Sequence, residues 1–359
     1  MNSLSTSALS TQPNGVRSQN NGISPDDVAQ VLESARGRTV VVVGDVMLDE
    51  WIIGHAGRIS PEAPVPVLKW SERRTAPGGA ANVAMNLLRL GARVAIYGVV
   101  GDDESGRDLA RVLCEAGADV DGLVQDRSRP TTLKTRIVAQ RQQVVRIDRE
   151  SDAPISQIIK KELQARLQNA WQDASALCLS DYDKGLAACS AFQDAAESAR
   201  QCATSSTRTA GASTTFRITG GPKPHNLGCF ANADFLSLNQ QEASEASGLK
   251  LDTKETVEAA GEKLRQKIGV QTLVITRGGK GVALFQESGT SHIGAHEVEV
   301  FDVAGAGDTF LAAATIALAG GADFQIAAEI GNLAAAASVR HAGVVAVELE
   351  EILRIAGER

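Results

Sequence analysis

The chain has 359 residues, 43% hydrophobic and 22% charged, enough for one large α/β domain with additions or for two domains. A net charge of -7 and an aromatic content of 4% argue against nucleic acid as a main partner, and no apolar run is long enough to cross a bilayer. Five scattered cysteines without a CxxC pair indicate neither a disulfide framework nor a zinc site, so we expect a soluble cytoplasmic protein.

The beginning of the chain predicts a tail, a helix and a buried strand. Residues 1–23 are rich in Ser, Thr, Asn and Gln and are expected to be disordered. A helix begins after the cap residue Ser24 and ends at Gly37. Four consecutive valines, beginning at Val40, then predict a buried parallel strand. Because open α/β sheets bind ligands where their strands end, the next acidic residue, Asp45, is either a substrate ligand or a turn residue.

Two segments predict a small β structure outside the main sheet. Residues 51–70 combine prolines with short apolar alternations, which favours an edge ribbon because proline cannot sit in a central strand. Residues 131–149 alternate apolar and polar residues around a central turn, which is typical of a hairpin. Together, segments at about 50–75 and 130–150 could form a small β lid. Its exposed edges commonly pair, so we expect a homodimer.

A glycine pair between these segments leads into a helix. Gly78 and Gly79 let backbone N–H groups approach a ligand, and the Asn82 side chain can both donate and accept hydrogen bonds. This pattern suits a hydroxyl-rich ligand, although a tight turn between a strand and a helix is the alternative. Strands and helices then alternate as far as residue 116, which predicts a mainly parallel sheet.

The middle of the chain contains one clear strand end and one stretch that does not fit. An apolar strand at 177–179 leads to Lys184, which could neutralise a phosphate or could lie on the surface. Residues 202–221 are rich in Ser and Thr and nearly without apolar residues, where an α/β chain should supply another strand. They are either a polar surface insertion or a local reading-frame error, and resequencing the gene would decide.

Two further strand ends carry residues suited to nucleotide binding. Asn239 and Glu242 lie three residues apart at a strand-to-helix junction, where they could hold a hydrated magnesium ion or form a capping box. A buried strand at 272–276 leads into a basic glycine turn that contains Arg277 and Gly279. This turn could contact nucleotide phosphates.

A glycine turn with the sequence DVAGAGDTF, at residues 302–310, leads into a helix N-terminus. It follows a predicted strand at 298–300 and precedes an apolar helix that ends at Gly320. The first N–H groups of that helix lack partners within it and form a site for an anion such as phosphate. Asp308 beside this site suggests a base that takes a proton from an attacking hydroxyl, with a helix cap as the alternative.

These motifs together resemble the signatures of the ribokinase-like (PfkB) sugar kinases. The two signatures are GGAAN at 78–82 and DVAGAGD at 302–308, and the resemblance extends over roughly residues 38 to 345. It implies a ribokinase-like α/β fold with a mainly parallel sheet, helices on both faces and a small β lid. Within the family, residues 58–67, 132–136 and 180–185 look like the heptose 7-phosphate kinases that feed ADP-heptose synthesis for bacterial lipopolysaccharide.

The resemblance implies ATP-dependent phosphorylation of the anomeric hydroxyl of D-glycero-β-D-manno-heptose 7-phosphate. Asp308 would be the general base, and the anion hole would be formed by Gly305, Ala306 and Gly307. The implied nucleotide ligands are Asn239, Glu242, Arg277, Gly279 and Asn332, with Glu242 also binding Mg²⁺. The implied sugar ligands are Asp45, Asp49, Gly78, Gly79, Asn82, Lys134 and Lys184, of which the two lysines would hold the existing phosphate. Asp302 and the turn at 342–343 could support a monovalent cation such as K⁺.

Two departures from the family pattern leave other functions open. Ala304 replaces the usual hydroxyl residue, and residues 202–221 lie where relatives carry a strand that ends in Asp-Pro-Lys near the nucleotide. The alternatives are a kinase for another sugar or nucleoside, or a non-catalytic or frame-damaged relative that only binds nucleotide. We expect a kinase domain at 24–349 and a tail at 350–359. Many of these kinases are fused to a nucleotidylyltransferase, a step that we expect a separate protein to perform here.

Overall fold

The computed structural model describes residues 22–140, 142–204, 215–231 and 233–358. Most of the expected N-terminal tail falls outside these residues, and so do residues 205–214 of the stretch suspected of a reading-frame error. The described chain forms a nine-stranded sheet, called the large sheet, and a four-stranded sheet, called the small sheet.

The elements follow one another along the chain in the order predicted for an alternating α/β protein. In chain order the strands are β1 (Thr39–Gly44), β2 (Val46–Ile59), β3 (Pro66–Gly79), β4 (Arg93–Gly101), β5 (Asp119–Asp126), β6 (Thr132–Ala139), β7 (Gln142–Arg149), β8 (Ala174–Ser180), β9 (Arg217–Gly221), β10 (Phe235–Asn239), β11 (Thr272–Thr276), β12 (Val282–Gln286) and β13 (Gly289–Ile293). The helices are α1 (Pro25–Ala35), α2 (Ala80–Arg89), α3 (Glu104–Glu115), α4 (Gln157–Leu167), α5 (Ala191–Thr204), α6 (Gln240–Ser247), α7 (Lys254–Ile268), α8 (Ala306–Ala319), α9 (Phe324–Ser338) and α10 (Leu349–Gly357).

The large sheet is mainly parallel, as predicted. Its strand order is β13-β12-β11-β10-β9-β8-β1-β4-β5, and the strands from β11 to β5 in this order run parallel to their neighbours. Among the described strands of the large sheet, only β12 and β13, at one edge, pair antiparallel with their neighbours. Parallel strands end at the same edge, so the loops after β1, β8, β9 and β10 are brought together there.

Helices cover the large sheet on both faces. Alternate valines of β1 show this, because they are buried in different apolar clusters. Val40 and Val42 are fully buried in an apolar cluster with residues of α1, α2, α8 and α9. Val41 and Val43 are fully buried in a second cluster with residues of α4, α5, α6 and α7. Complete burial of a valine side chain typically contributes about 1.5 kcal/mol or more, so this strand is strongly held from both sides.

Part of the irregular stretch is a central strand, so the prediction of a surface insertion is wrong for residues 217–221. β9 lies between β8 and β10, with Ile218 fully buried. The Thr219 hydroxyl is also buried and shares a 2.7 Å hydrogen bond with Thr315 of α8. A Cβ at Gly220 would lie 2.8 Å from the ring of Phe230. Small and hydroxyl residues therefore fit here because neighbouring elements approach closely and satisfy the buried polar group.

Two smaller predictions near the C-terminus are also wrong. The segment at 298–300 is not a strand, and Val300 is 59% exposed, because β13 is already the edge of the large sheet. The expected tail at 350–359 begins within α10, which packs against α1 and α9. The buried side chains of Ile352 and Ile355 lie three residues apart on one helical face, and this apolar spacing favours a docked helix.

The small sheet is built from the two segments predicted to form a lid. Its order is β3-β2-β6-β7, in which β2 pairs antiparallel with β3 and parallel with β6, while β6 and β7 form the predicted hairpin. β2 begins two residues after β1 ends. The small sheet therefore lies at the edge of the large sheet where the parallel strands end.

Candidate active site

Asp308 lies at the centre of the polar groups gathered at this edge. It is the third residue of α8 and is 8% exposed. The Tyr182 hydroxyl donates to its Oδ1 at 2.6 Å, and Asn82 Nδ2 donates to its Oδ2 at 2.9 Å. Burial raises the pKa of Asp308 from its ordinary 3.8 to about 6, although these two donors and Lys223 favour the charged form. The N-cap of α8 is Gly305, so the helix-cap alternative for Asp308 does not hold.

The glycine turn before α8 has a backbone that only glycine adopts readily. Gly305 has φ of 78°, in the left-handed region, and a Cβ there would lie 2.8 Å from Asn82 Nδ2. Ala306 and Gly307 follow as the first residues of α8. The Ala306 N–H donates to the Val303 carbonyl at 3.3 Å. The first N–H groups of a helix lack acceptors within the helix, so this turn can still receive an anion beside Asp308.

The orientation of the Asn82 amide is fixed by a second asparagine. Asn86 Nδ2 donates to Asn82 Oδ1 at 3.1 Å and to the Asn82 carbonyl at 3.0 Å. Asn86 Oδ1 in turn accepts from the backbone N–H of Val347 at 3.2 Å. The amide oxygen of Asn82 therefore faces Asn86, and its NH₂ group is left to donate to Asp308.

Asp45 is buried at the end of β1 and is held by the loop after β8. Its Oδ2 accepts from the N–H groups of Tyr182 at 2.9 Å and Lys184 at 3.1 Å. Its Oδ1 is buried and has no hydrogen-bond partner in the described part of the chain. Burial is the main reason that the pKa of Asp45 rises from 3.8 to about 7. Asp45 thus offers one free acceptor close to the Asp308 network.

The glycine pair that ends β3 brings the backbone close to both Asp45 and Asp49. Gly79 has φ of 58°, and a Cβ there would lie 2.5 Å from the Asp45 carbonyl oxygen. A Cβ on Gly78 would overlap the Asp49 carboxylate. Asp49 itself pairs with Arg136 at 2.5 Å, so it is tied to the small sheet. The structure therefore brings together the four residues Asp45, Asp49, Gly78 and Gly79.

The two lysines predicted to bind phosphate share one carboxylate. Glu150 accepts ion pairs from Lys134 and Lys184, each at 3.0 Å. Lys134 also contacts Asp148 at 3.4 Å, and Lys184 contacts Asp152 at 2.6 Å. Burial disfavours the charge on Lys184, but its hydrogen bonds to Asp152 and Glu150 raise its pKa. The structure thus brings the two lysines together. It also places Asp148, Glu150 and Asp152 around them, which the sequence analysis did not predict.

The predicted nucleotide residues Asn239 and Glu242 form the capping box of α6. Asn239 Oδ1 accepts from the Glu242 N–H at 2.8 Å, and Glu242 Oε2 accepts from the Asn239 N–H at 2.9 Å. Glu242 Oε1 also pairs with Lys223 at 2.7 Å. The capping-box alternative is therefore confirmed, and the same carboxylate remains directed at the loop after β9.

Lys223 and Tyr182 lie beside Asp308 and were not predicted as site residues from the sequence. Lys223 follows β9 and lies 5.1 Å from the centre of the Tyr182 ring. Asp181 holds the Lys223 loop, because its Oδ2 accepts from the Lys223 N–H at 2.9 Å and from Asn226 Nδ2 at 3.0 Å. The signal for Lys223 was present as Gly221-Pro222-Lys223, in which only the first residue departs from the family's Asp-Pro-Lys.

The other predicted ligands lie outside this network. Asn332 donates to the Gly294 carbonyl at 2.8 Å, and the Arg277 N–H donates to the Gly281 carbonyl at 2.8 Å. Gly279 lies in an exposed 3₁₀ turn. In the described chain, no hydrogen bond or ion pair joins these three residues to the residues around Asp308.

Asp302 joins the glycine turn to the C-terminal segment. Its Oδ1 accepts from the Ala304 N–H at 2.9 Å, and its Oδ2 accepts from the Gly343 N–H at 3.0 Å. Asp302 is therefore in contact with the turn at 342–343, and the cation expected between them stays a prediction. Over the described ranges, no group of three or more His, Cys, Asp or Glu side chains could hold a metal ion by itself. No described helix has the length and apolarity needed to span a membrane.

Two curated proteins that are similar to the chain share one name, and both are longer than the part that matches the chain. The chain is 37% identical over 328 residues to the bifunctional protein HldE of Geobacter metallireducens and 39% identical over 322 residues to that of Azorhizobium caulinodans. These matches cover 91% and 89% of the chain. The chain spans 64% of the length of each of these relatives.

Solved structures confirm the ribokinase-like fold. The tetrameric inhibited form of phosphofructokinase-2 from Escherichia coli matches 89% of this chain and 98% of its own, with a TM-score of 0.72 and 17% identity. Ribokinase from Arabidopsis thaliana, complexed with ribose and ATP, matches 90% and 100% with a TM-score of 0.68 and 19% identity. A model of the pfkB family carbohydrate kinases matches residues 38–351, and the chain therefore belongs to that family.

Proposed function

We propose that the chain is an ATP-dependent kinase that phosphorylates the anomeric hydroxyl of D-glycero-β-D-manno-heptose 7-phosphate. The observation that carries this proposal is the buried carboxylate of Asp308, held by two donors beside the glycine turn that starts α8. The similarity to proteins named HldE, together with the segments at 58–67, 132–136 and 180–185, supports a heptose phosphate as the acceptor.

In this proposal, Asp308 accepts the proton of the attacking hydroxyl. Its pKa of about 6 leaves it ionised at neutral pH while keeping it more basic than an exposed aspartate. The N–H groups of Gly305, Ala306 and Gly307 stabilise the charge that develops on the transferred phosphoryl group. General-base catalysis contributes about 10² to 10⁴ in rate, and the turn adds electrostatic stabilisation.

The loops after β9 and β10 would bind the phosphates of ATP. Lys223 supplies a positive charge near Asp308, and Glu242 supplies a carboxylate at the start of α6. This pair fits a magnesium nucleotide, because Mg²⁺ is usually bound by one or two carboxylates together with substrate phosphates. Bound Mg²⁺ would neutralise phosphate charge. Arg277, Gly279 and Asn332 remain proposed nucleotide ligands further from Asp308.

The sugar would lie between the two sheets, with its anomeric hydroxyl at Asp308. Asp45 has a free oxygen for a sugar hydroxyl, and Asn82 and the backbone at Gly78 and Gly79 add donors. Asp49 would join them from the small sheet. Lys134 and Lys184 would hold the existing phosphate, which would take over the contacts that Glu150 makes with both lysines.

Two further parts of the proposal concern a cation and a second subunit. Asp302 and the turn at 342–343 would support a monovalent cation such as K⁺ next to the anion hole.

The small sheet would act as a lid and as the contact of a homodimer, because large apolar side chains are exposed on it. These side chains are Ile59, Trp70, Val144, Val145 and Ile147, and Val65 is exposed in the connection between β2 and β3.

An assay of ADP release with D-glycero-β-D-manno-heptose 7-phosphate tests the proposal most directly. We expect turnover with this sugar to exceed turnover with ribose, fructose 6-phosphate and adenosine by at least tenfold in kcat/KM, which is about 1.4 kcal/mol of discrimination. Preference for another acceptor would keep the kinase and change its substrate. A chain that is stabilised by ATP with Mg²⁺ but transfers phosphate to no acceptor would be a nucleotide-binding relative.

A further inference from the structure

Tyr182 contacts three side chains, Asp308, Asp45 and Lys223, to which the proposed mechanism gives different roles. Its hydroxyl donates to Asp308 Oδ1 at 2.6 Å, and its backbone N–H donates to Asp45 Oδ2 at 2.9 Å. The ammonium group of Lys223 lies 5.1 Å from the centre of its ring. One residue at the end of β8 therefore contacts the proposed base, a proposed sugar ligand and a proposed phosphate ligand.

From this geometry, and resting on the proposed kinase function, we infer that Tyr182 is a positioning residue for Asp308. Its hydroxyl fixes the orientation of the carboxylate and keeps it ionised for proton transfer from the sugar. Its main chain ties that orientation to Asp45 in the sugar pocket.

The orientation follows from the two donors on Asp308. A carboxylate that accepts one hydrogen bond can still rotate about its Cβ–Cγ bond, whereas donors on both oxygens fix its plane. Tyr182 occupies Oδ1, and Asn82, whose amide is held by Asn86, occupies Oδ2. Each oxygen keeps a second lone pair, so either can still accept the proton of the sugar hydroxyl.

The charge of Asp308 depends on the groups that face it from five elements. Burial raises its pKa to about 6, and the donors Tyr182 and Asn82 oppose that rise, followed by Lys223 in the loop after β9. Asp49 of β2 acts in the opposite direction. Cys178 of β8 is fully buried, and burial raises the pKa of its thiol to about 11, so it stays neutral near pH 7.

Tyr182 stays a donor throughout the range in which Asp308 titrates. Burial raises the pKa of the Tyr182 hydroxyl well above its ordinary 10, and the negative charges of Asp308, Glu242 and Asp49 raise it further. The bond is therefore between a neutral hydroxyl and a carboxylate, a charge-assisted type that is roughly twice as strong as a neutral one. Losing it should make Asp308 easier to protonate.

The substitution Tyr182→Phe isolates this role, because it removes only the hydroxyl. The ring can remain against Lys223, and the backbone N–H can still reach Asp45. Tyr97→Phe is a matched control, since Tyr97 is the other tyrosine of the chain, lies in β4 and is 7% exposed. Asn82 is less suitable for the test, because the proposed mechanism also gives it a contact with the sugar.

The first measurement is the pH dependence of ADP release with heptose 7-phosphate. In the wild type, the acidic limb of kcat/KM should have its midpoint near pH 6, where Asp308 loses its proton. In Tyr182→Phe, we expect the midpoint to rise by about one pH unit and kcat at high pH to fall about tenfold. The KM values for sugar and ATP should stay within about twofold, and Tyr97→Phe should match the wild type.

The second measurement needs no substrate. Carbon-13 NMR of protein labelled at the aspartate side-chain carboxyls can follow Asp308 directly, with Asp308→Asn identifying its signal. A higher titration midpoint in Tyr182→Phe than in the wild type and in Tyr97→Phe supports the inference. Equal midpoints together with an unmoved acidic limb overturn it. If the wild type transfers phosphate to no sugar, the proposed function fails, while the NMR titration still decides whether Tyr182 controls the charge of Asp308.

Discussion

The large and small sheets meet at the proposed active site, but they are stabilised in different ways. The strands of the large sheet are packed by apolar clusters on both faces. In the small sheet, every described residue of β7 is exposed, and ion pairs such as Arg73 with Glu50 and Lys134 with Asp148 connect neighbouring strands. Arg73 and Lys134 remain partly exposed, and ion pairs that reach solvent contribute about 0–1 kcal/mol each, less than a fully buried apolar side chain.

This difference suggests that the large sheet holds the proposed catalytic residues and that the small sheet recognises the substrate. The residues closest to the chemistry, including Asp308, Asn82 and Tyr182, are on helices or loops fixed to the large sheet. The small sheet contributes Asp49 and Lys134, which would recognise the substrate. A weakly packed sheet can move without disturbing the base, so a lid function is compatible with a rigid catalytic centre.

The largest expected difference is in the free energy of unfolding, when an isoleucine of each sheet is replaced by alanine. Ile96 in β4 is fully buried, whereas Ile147 in β7 is 56% exposed. We expect Ile96→Ala to lower the free energy of unfolding by about 2–5 kcal/mol, and Ile147→Ala to change it by less than about 0.5 kcal/mol. Urea unfolding measures both values. Similar losses would contradict the comparison, unless the Ile147 effect depends on protein concentration, as a dimer contact would require.

The next largest effect is on catalysis at the large sheet. Asp308→Asn keeps the shape of the side chain but removes its basicity, so kcat should fall about a hundredfold or more. ATP binding, measured by calorimetry, should remain largely intact, since the proposed anion hole uses backbone N–H groups. Turnover like that of the wild type would exclude Asp308 as the base.

The sequence predicts the large sheet well, because its strands are apolar and its helices have caps. The predicted strand at 272–276 is β11, and the helix expected after Ser24 is α1. Asp308 and Asn82 could also be recognised, since each lies at the start of a helix that follows a glycine turn. Local residue patterns are enough for such features.

Strands and contacts that depend on distant parts of the chain could not be predicted from local residue patterns. β9 has only five residues, mostly small or polar, and it is a strand because β8 and β10 flank it. The contacts of Tyr182 and Lys223 arise where separate strands end at one edge. Likewise, the register of β6 and β7 brings Glu150 close to Lys134, and the loop after β8 brings Lys184 to the same carboxylate.

Gly305→Ala tests how closely the turn is packed against the site. An added Cβ would strain a backbone with φ of 78° and would press on Asn82, the donor to Asp308. We expect kcat to fall about 30-fold, with a smaller change in KM. Gly228→Ala is the control, because a Cβ there meets nothing within 4 Å. Equal activity of the two variants would show that the turn tolerates a side chain.

Lys134→Ala tests the substrate role of the small sheet. If Lys134 binds the existing phosphate, its loss should raise KM for heptose 7-phosphate about tenfold, which corresponds to one lost charge-assisted contact. The KM for the same sugar without phosphate should not change. Lys69→Ala, at an exposed position of β3, is the control on the same sheet. An equal increase for both sugars would contradict the assignment of Lys134 to the phosphate.

The smallest expected effect is a gain in stability from Asp45→Asn at the end of β1. The folded state raises the pKa of Asp45 from 3.8 to about 7, so it holds the proton more tightly than the unfolded state. The wild type therefore loses stability as pH rises from about 4 through 7, and asparagine avoids this loss. We expect the variant to be more stable than the wild type by about 1 kcal/mol at pH 8 and less stable than it by about 1–2 kcal/mol at pH 5.

The matched substitution on the small sheet should not give this gain. Asp49→Asn removes the partner of Arg136, so stability at pH 8 should stay equal or fall. The gain for Asp45→Asn is smaller than a full pKa difference would give, because the new NH₂ group takes the place of an oxygen that has no partner in the described chain. Chemical unfolding at the two pH values measures both variants. A gain at pH 5 equal to that at pH 8 would mean that the charge of Asp45 is not what limits stability at this end of the large sheet.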